Sequence, residues 1–255
     1  TDSLTPVTAS GITSPVQLSD AWNHNCARFS DGSLKCWGRN NNGQLGDNST
    51  TDRTTAISVL GSDNFTDVAG GYNHTCGVLT GGGVKCWGRN YEGQIGDNST
   101  TQRLLPVSVT GLSGAQKIAA GAYHNCTLQS GGGVKCWGSN EMGQLGDGKS
   151  SYTTITVSGI SNAVEIGSGW NHSCALLDNG SVQCWGRSSY VGTNTGSNHF
   201  SPVSVDNITT ASQLSVGNNH TCARLSNGTV KCWGSNGNGE LGDGSTSSSR
   251  TPVVV

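Results

Sequence analysis

Residues 24–47 read HNCARFSDGSLKCWGRNNNGQLGD, and residues 74–97 read HTCGVLTGGGVKCWGRNYEGQIGD. The initial histidine recurs at positions 24, 74, 124, 172 and 220, in steps of 50, 50, 48 and 48 residues. Each copy has a cysteine two residues after the histidine, a second cysteine ten residues later and a tryptophan directly after that. A fixed period of this length is typical of one supersecondary unit stacked on copies of itself.

Tandem units account for the whole chain, and a single domain is predicted. The predicted units span residues 5–54, 55–104, 105–153, 154–201 and 202–250, followed by a closing strand at residues 251–255.

The composition favours strands and turns. There are 39 glycines among 255 residues, only 12% of residues are charged, and no segment has the pattern of an amphipathic helix. The net charge of -2 provides no basic field for nucleic acid or an anionic membrane. No apolar stretch approaches the roughly 20 residues needed to span a bilayer. We therefore expect no nucleic-acid partner and no membrane insertion.

The ten cysteines form five pairs with nine residues between partners. A turn sequence such as SDGS or TGGG stands in the middle of each interval, which predicts a β-hairpin with the two cysteines on facing strands. The pairs are Cys26 with Cys36, Cys76 with Cys86, Cys126 with Cys136, Cys174 with Cys184, and Cys222 with Cys232.

Three interpretations of these cysteines compete: disulfides, zinc ligands in a His-x-Cys plus Cys set, and free buried thiols. The spacing has no Cys-x-x-Cys pair and no fourth ligand, which favours disulfides over zinc. We predict five disulfides, no metal and no cofactor. Disulfides persist in oxidising compartments, so we also predict an extracellular or cell-surface location.

The repeated pattern GxxHxCxLxxxGxVxCWGxNxxGQLGD, with PVxV between units as at residues 104–109, resembles the repeat of the regulator of chromosome condensation family. The resemblance covers all five units and implies a β-propeller with one repeat per blade. The cysteine pairs are a departure from the nuclear member. Its nucleotide-exchange activity on a small GTPase is therefore not carried over to this chain.

Physical reasoning leads to the same fold. Units of four short strands cannot bury both faces alone, and radial repetition with ring closure protects their edges. We predict an all-β propeller with five blades of four short antiparallel strands. The expected ring closure would leave every blade with two neighbours.

The sequence TPV occurs at both ends of the chain, at Thr5 and at Thr251. One copy can complete the last blade, and the other, at Thr5–Gly11 or Thr251–Val255, would be surplus and could pair with another copy of the protein. The chain also begins TDSLTPV without methionine, and we interpret it as a processed or excised product.

The units differ mainly in two places, just before the histidine and in the loop after the tryptophan, which we expect at the same end of each blade. Variable residues on a repeated frame are typical of a binding surface. We predict contacts with a protein or carbohydrate by Trp22, Tyr72, Tyr123, Trp170 and Tyr91, and by Tyr190, His199 and Phe200 of the divergent fourth unit. The alternative is that these rings only pack between blades.

The five repeated histidines and the tryptophans that follow the second cysteines are predicted to be structural, because an active site needs one constellation rather than five copies. No distinctive set of acid, base and nucleophile is present, so we predict no enzyme activity. Possible N-glycosylation sites are Asn48, Asn64, Asn98, Asn179, Asn207 and Asn227. The predicted function is a secreted or cell-surface recognition propeller that binds a protein or glycan through an aromatic-rich loop face. The alternative is a structural subunit of an extracellular fibre or adhesin joined through its terminal strands.

Overall fold

A computed structural model describes residues 5–61, 64–147 and 151–255, without the side chains of residues 151 and 152. Within these described residues, twenty strands form five four-stranded antiparallel sheets, and the strands of each sheet are consecutive in the sequence. The predicted five blades of four strands are therefore confirmed.

The strands follow one another in space as they do in sequence, from the first strand of each blade to the fourth. Blade one contains β1 (Gln17–Asp20), β2 (His24–Arg28), β3 (Leu34–Gly38) and β4 (Arg53–Ser58). Blade two contains β5 (Phe65–Gly70), β6 (His74–Leu79), β7 (Val84–Gly88) and β8 (Arg103–Ser108). Blade three contains β9 (Ala115–Ala120), β10 (His124–Gln129), β11 (Val134–Gly138) and β12 (Ser151–Thr156). Blade four contains β13 (Ala163–Ser168), β14 (His172–Leu177), β15 (Val182–Gly186) and β16 (His199–Ser204). Blade five contains β17 (Ala211–Val216), β18 (His220–Leu225), β19 (Val230–Gly234) and β20 (Ser249–Val254).

Helix is confined to one 3-10 turn, Ser188–Tyr190, in the part of the chain that the structure describes. A search of these residues finds no helix with the length and apolar character needed to cross a membrane.

The predicted repeat boundaries need correction. The divisions after residues 54, 104, 153, 201 and 250 all fall inside the fourth strand of a blade. The blades instead end after that strand, because β4 and its equivalents pair with the third strand of the same unit. The predicted closing strand at residues 251–255 is accordingly most of β20, the fourth strand of blade five.

The cysteines of each pair lie directly opposite each other on the second and third strands. Cys26 faces Cys36 across β2 and β3, with their Cα atoms 4.1 Å apart, and the other four pairs repeat this register. All ten cysteines form disulfides, so the predicted pairing is confirmed and the zinc and free-thiol interpretations are wrong.

The core lies between blades rather than within them. Between blades one and two, Leu45 and Val59 of the first blade pack with Val68 and Trp87 of the second. Burial of these side chains removes apolar surface from water, which stabilises the fold by roughly 25 cal/mol for each Å² of apolar surface buried. Equivalent clusters join blades two to three, three to four, and four to five.

A tryptophan hydrogen bond also crosses each of these four interfaces. The indole of Trp87 is fully buried, and its Nε1 donates to the carbonyl oxygen of Gln44 in the preceding blade at 2.9 Å. The other three bonds run from Trp137 to Gln94, from Trp185 to Gln144 and from Trp233 to Tyr190.

The boundary between blades five and one is different. Among the described residues, no corresponding apolar cluster joins the two blades. Trp37 is only partly buried, and its indole makes no such bond across this boundary within the described chain. We call this boundary the seam. The expectations that the ring closes and that Trp37 is a core residue like its four counterparts are therefore corrected.

The two TPV copies differ in secondary structure. The copy at Thr251 lies in β20, whereas residues 5–11 belong to no strand and are exposed. This N-terminal segment contacts blade one, since Ala56 N donates to Ser10 O at 3.4 Å and Lys35 Nζ donates to Gly11 O at 2.9 Å. The surplus copy is thus the N-terminal one; residues 1–4 lie outside the described residues.

Candidate functional site

The two variable segments of each unit meet at one end of the propeller, as predicted. In blade one, the turn before His24 touches the start of the loop that follows β3, because Arg39 N donates to Asn23 O at 2.8 Å. The same bond recurs in the other four blades. We call this end the loop face; the hairpin turns that join the second and third strands lie at the opposite end.

Four aromatic side chains meet at the centre of the loop face. Trp22 lies 5.5 Å from Tyr72 and 5.4 Å from Trp170 between ring centroids, and Tyr72 lies 5.7 Å from Tyr123. We call these four residues the aromatic cap. They were predicted to ring the face, but they converge because the turns before the histidines surround the propeller axis. Trp22 remains 48% exposed, while the other three rings are partly buried.

A cavity of about 480 Å³ lies on the axis and is lined by Trp22, Tyr72 and Trp170 of the aromatic cap together with mostly small residues from all five blades. The wall has to be made of small residues. A Cβ added at Gly71 would lie 2.1 Å from His74 Cε1 and 2.5 Å from the carbonyl oxygen of Gly121 in the next blade. Glycine at this position therefore allows neighbouring blades to approach closely around the axis.

The repeated histidines join neighbouring blades. Their Nε2 atoms lie 2.8–2.9 Å from an oxygen of the next blade, and the oxygens belong to Thr75, Asn125, Ser173 and Thr221. Thr75 donates its own hydroxyl proton to Gln44 O, so it accepts from the Nε2–H of His24. The fifth histidine, His220, is only partly buried and makes no such bond to its counterpart Asn25 in the described chain.

Burial keeps four of these histidines neutral. Desolvation lowers the pKa of His24, His124 and His172 to about 3, with a smaller contribution from a neighbouring histidine in each case. Desolvation also lowers the pKa of His74 to about 4, although its hydrogen bond to Asn125 acts in the opposite direction. Neutral rings locked between blades have a structural role, as the repetition of the motif predicted.

The Asn and Asp that recur in the loops of four units also serve the fold. Asn40 accepts from Leu45 N and donates to Asp47, which in turn binds the guanidinium of Arg53 at 2.6 Å. Burial alone would raise the pKa of Asp47, but bonds from Arg53, Ser49 and Asn40 hold it below its usual value. This network fixes the loop that inserts Leu45 between the blades.

Arginines extend the aromatic surface outward from the cap. The guanidinium of Arg89 lies over the rings of Tyr123 and Tyr91, at 4.6 Å and 5.1 Å, and pairs with Glu92 at 2.6 Å. Tyr91 is 62% exposed, so this cation–π pair is presented to solvent. Tyr91 and Tyr123 were predicted as contact residues and Arg89 was not, although an arginine follows Trp-Gly in three units.

The divergent fourth unit divides its predicted contact residues between two places. Tyr190 lies on the loop face, with its ring 5.4 Å from Arg187 and 5.4 Å from His172, and its carbonyl oxygen accepts the Trp233 bond. His199 and Phe200 begin β16, the strand of blade four farthest from the axis, and His199 pairs with Gly186 at the loop-face end of β15. These two residues therefore lie at the outer edge of the loop face, away from the aromatic cap, and their role in binding stays a prediction.

All six predicted glycosylation sites are exposed, which makes them accessible; the sites themselves stay a prediction. They are Asn48, Asn64, Asn98, Asn179, Asn207 and Asn227. Over residues 5–61, 64–147 and 151–255, no three His, Cys, Asp or Glu side chains come together in a metal-binding group.

Comparison with protein families identifies the family to which the repeats belong. The RCC1-like domain matches residues 1–255, the full length of the sequence. The chain belongs to the RCC1-like domain family. No curated protein sequence matches this RCC1-like chain.

Solved structures show the same fold at low sequence identity. Human WBSCR16 matches with a TM-score of 0.84 and 20% identity, over 94% of this chain and 67% of that protein. Prp20p from Saccharomyces cerevisiae matches with a TM-score of 0.84 and 24% identity, over 94% of this chain and 63% of Prp20p. The ectodomain of the Physcomitrella patens receptor kinase CR4 matches with a TM-score of 0.53 and 22% identity, over 86% of this chain and 50% of that ectodomain. The RCC1-like chain thus spans less than two thirds of Prp20p.

Proposed function

We propose that this RCC1-like chain is an extracellular recognition propeller that binds a protein partner through the aromatic cap. The observation that carries the proposal is the exposure of Trp22, at 48%, within a cluster of four aromatic rings at the centre of the variable loop face. A soluble domain normally has a reason to keep such a group of large side chains at its surface.

The composition of the loop face suits protein recognition. Tryptophan, tyrosine and arginine are the residues most enriched among binding hot spots, and hot spots lie near the centre of an interface. Here Trp22 and Tyr72 occupy the centre, while Arg89 and Tyr91 extend the surface outward. The rings are already packed against one another, so fixing them on binding would cost little side-chain entropy.

A protein surface fits the aromatic cap better than a single sugar ring. The rings of Trp22 and Tyr72 are inclined by 43°, and those of Trp22 and Trp170 by 65°. They form an uneven apolar surface rather than one flat stacking platform. We infer no enzyme activity, because the repeated histidines are held between blades.

The relatives and the disulfides support the two parts of the proposal. The Prp20p structure is described together with its binding to Gsp1p and histones, and a further structure contains yeast RCC1 bound to Kap60. Five disulfides favour an oxidising environment, and the CR4 match is itself an ectodomain. Protein binding and an extracellular location are therefore the two properties to test first.

Site-specific photo-crosslinking tests this proposal. A photoreactive phenylalanine analogue is placed at position 22 on the loop face or, as a control, at position 31 in the hairpin turn at the opposite end. Extracellular proteins of the source are then offered to both versions. A protein captured from position 22 but not from position 31 is the expected result, and equal capture from both would contradict the assignment.

The captured partner allows a quantitative test. Trp22→Ala is expected to weaken binding by about 2 kcal/mol or more, roughly thirtyfold, because it removes the most exposed ring of the cap. Phe200→Ala is the matched control, since Phe200 is 45% exposed but lies in β16. An unchanged affinity for Trp22→Ala, or an equal loss for Phe200→Ala, would reject the aromatic cap as the binding surface.

A further inference from the structure

A second cavity, of about 260 Å³, opens on the outer part of the loop face between blades four and five. Ser189 and Tyr190, in the loop that follows β15, form its blade-four side. The end of β19 and the beginning of β20 form its blade-five side. Both sides belong to a filled interface, because the indole of Trp233 donates to the carbonyl oxygen of Tyr190 at 3.0 Å. We call this cavity the rim pocket; it is lined by four serines together with Tyr190, Gly234 and Arg250.

The rim pocket arises where the loop of the fourth unit is shorter than the others. Leu45 stands eight residues after the tryptophan of its unit, whereas its counterpart Val191 stands only six residues after its own. At the interface between blades one and two, the longer loop lies against the fourth strand of the next blade, since a Cβ added at Gly43 would lie 2.9 Å from Leu104 Cα. The shorter loop leaves the corresponding space between blades four and five open.

An arginine faces this open space in place of an apolar residue. In the strand register, Ser249 of blade five is the counterpart of Arg103 of blade two, and Arg250 is the counterpart of Leu104. Arg103 pairs with Asp97 at 2.6 Å, but successive side chains of a strand point to opposite faces, so Arg250 points away from the equivalent aspartate. Arg250 is exposed, and no carboxylate of the described chain lies within ion-pair distance of its guanidinium.

The remaining groups of the rim pocket add hydrogen-bond donors and a second positive charge. Ser248 Oγ accepts from Asn236 N at 3.1 Å, which leaves its own proton available, and the Ser235 hydroxyl has no partner among the described residues. The guanidinium of Arg187 lies 5.4 Å from the Tyr190 ring, likewise with no carboxylate partner in the part of the chain that the structure describes. None of the described lining residues is acidic, so the local field favours an anion.

We propose that the rim pocket binds a single carboxylate group, presented by an acidic side chain of a protein that covers the loop face. The planar guanidinium of Arg250 can hold a carboxylate through two parallel hydrogen bonds, and the serine hydroxyls can donate to the remaining lone pairs. One lining arginine matches the single charge of a carboxylate, whereas a phosphate group carries a charge of about −1.5 to −2 and is usually bound by a cluster of arginines. The protein that carries the carboxylate rests on the proposed function, while the carboxylate site itself does not.

Amide NMR with small probes tests the site without any partner protein. The ¹⁵N-labelled chain is titrated at neutral pH with N-acetylglutamate whose α-carboxyl is an amide, so that only the side-chain carboxylate is charged. The matching glutamine compound is its neutral isostere. The amide signals of Tyr190, Gly234, Ser235 and Arg250 should shift to saturation with the glutamate compound and remain unchanged with the glutamine compound.

Three variants assign the effect to the proposed charge. Arg250→Gln should weaken binding of the glutamate compound by about tenfold or more, because it removes the paired cation. Arg250→Lys keeps the charge without the fork of donors and should give a smaller loss. Arg39→Gln is the matched control, since Arg39 is an exposed arginine of the loop face in blade one, and it should bind like the wild type. Circular dichroism verifies that each variant is folded.

Three results would overturn the proposal. Equal shifts with the glutamate and glutamine compounds would show that the charge is not recognised, and unchanged affinity of Arg250→Gln would place the binding elsewhere. Saturation of the same signals by inorganic phosphate, but not by the glutamate compound, would assign the pocket to a different anion. Each of these results leaves the aromatic cap untouched, and a failed crosslinking experiment at position 22 would leave carboxylate binding by the rim pocket intact.

Discussion

The interface between blades one and two and the seam between blades five and one are built from the same sequence motif but differ in structure. At the first, Trp87 is fully buried and bonded to Gln44; at the second, Trp37 is partly exposed. The two tryptophans even share the local sequence KCWGRN. The motif therefore specifies the two faces of a blade, while the burial of those faces depends on whether a neighbouring blade packs against them.

Acid pH should cause the largest loss of stability, and the loss should arise at the filled interfaces rather than at the seam. The reason is that four buried histidines lie at the filled interfaces. Their folded pKa values, about 3 to 4, lie below the unfolded value of 6.5. The unfolded chain therefore binds protons first, so stability is complete above about pH 6.5 and is lost as the pH falls toward 3 to 4. The four histidines together should cost about 6 kcal/mol at pH 5.5.

Urea unfolding at a series of pH values measures this loss. The slope between pH 6 and pH 4.5 should approach an uptake of about four protons on unfolding. His124→Gln keeps a side chain able to donate to Ser173 and should reduce the uptake by about one proton. A free energy of unfolding that does not depend on pH in this range would disprove the neutral, buried state of these rings.

Removal of one interface tryptophan should have the next largest effect on the stability of the fold. Trp137→Ala empties a fully buried site and breaks the bond to Gln94, so it should destabilise the protein by about 3–5 kcal/mol. Trp37→Ala at the seam should cost only about 1–2 kcal/mol, because the indole is partly exposed already. Chemical unfolding of both variants at a concentration where the wild type is monomeric provides the comparison. Equal losses would mean that the seam is filled in solution.

Substitution of a residue that accepts a histidine hydrogen bond should give the smallest difference in stability between the filled interfaces and the seam. Thr75→Val leaves the Nε2–H of His24 without its partner, while the carbonyl of Gln44 keeps the bond from Trp87, and the change should cost about 1–3 kcal/mol. Asn25→Ala, the equivalent change at the seam, should cost less than about 0.5 kcal/mol, as surface substitutions usually do. Thermal unfolding resolves the two, and a similar loss for both variants would contradict an open seam.

Local features of this chain could be predicted because they depend on neighbouring residues in the sequence. Cys26 and Cys36 flank a turn-forming SDGS segment, so the hairpin register alone places them opposite each other. The loop face could be predicted for the same reason, because strand alternation brings Asn23 and Arg39 to one end.

The features that were not predicted depend on how blades pack together. Trp22 and Trp170 are 148 residues apart in sequence and meet only because the blades curve around one axis. The same dependence explains the seam, since nothing within the repeat distinguishes Leu18 from Val68 as a surface or a core residue. The position of His199 and Phe200 at the outer edge of the loop face, away from the aromatic cap, also follows only from the pairing of β16 with β15.

Over the described residues, the RCC1-like arc has four filled interfaces and one open seam. Hydroxyl-radical footprinting, read by mass spectrometry on dilute protein, tests it most directly at individual side chains. Trp37 and Leu18 should be oxidised much faster than the buried Trp87, Trp137, Trp185 and Trp233, with the exposed Trp22 as the reference for a reactive side chain. Protection of Trp37 equal to that of the four buried tryptophans would show a closed ring and contradict the account.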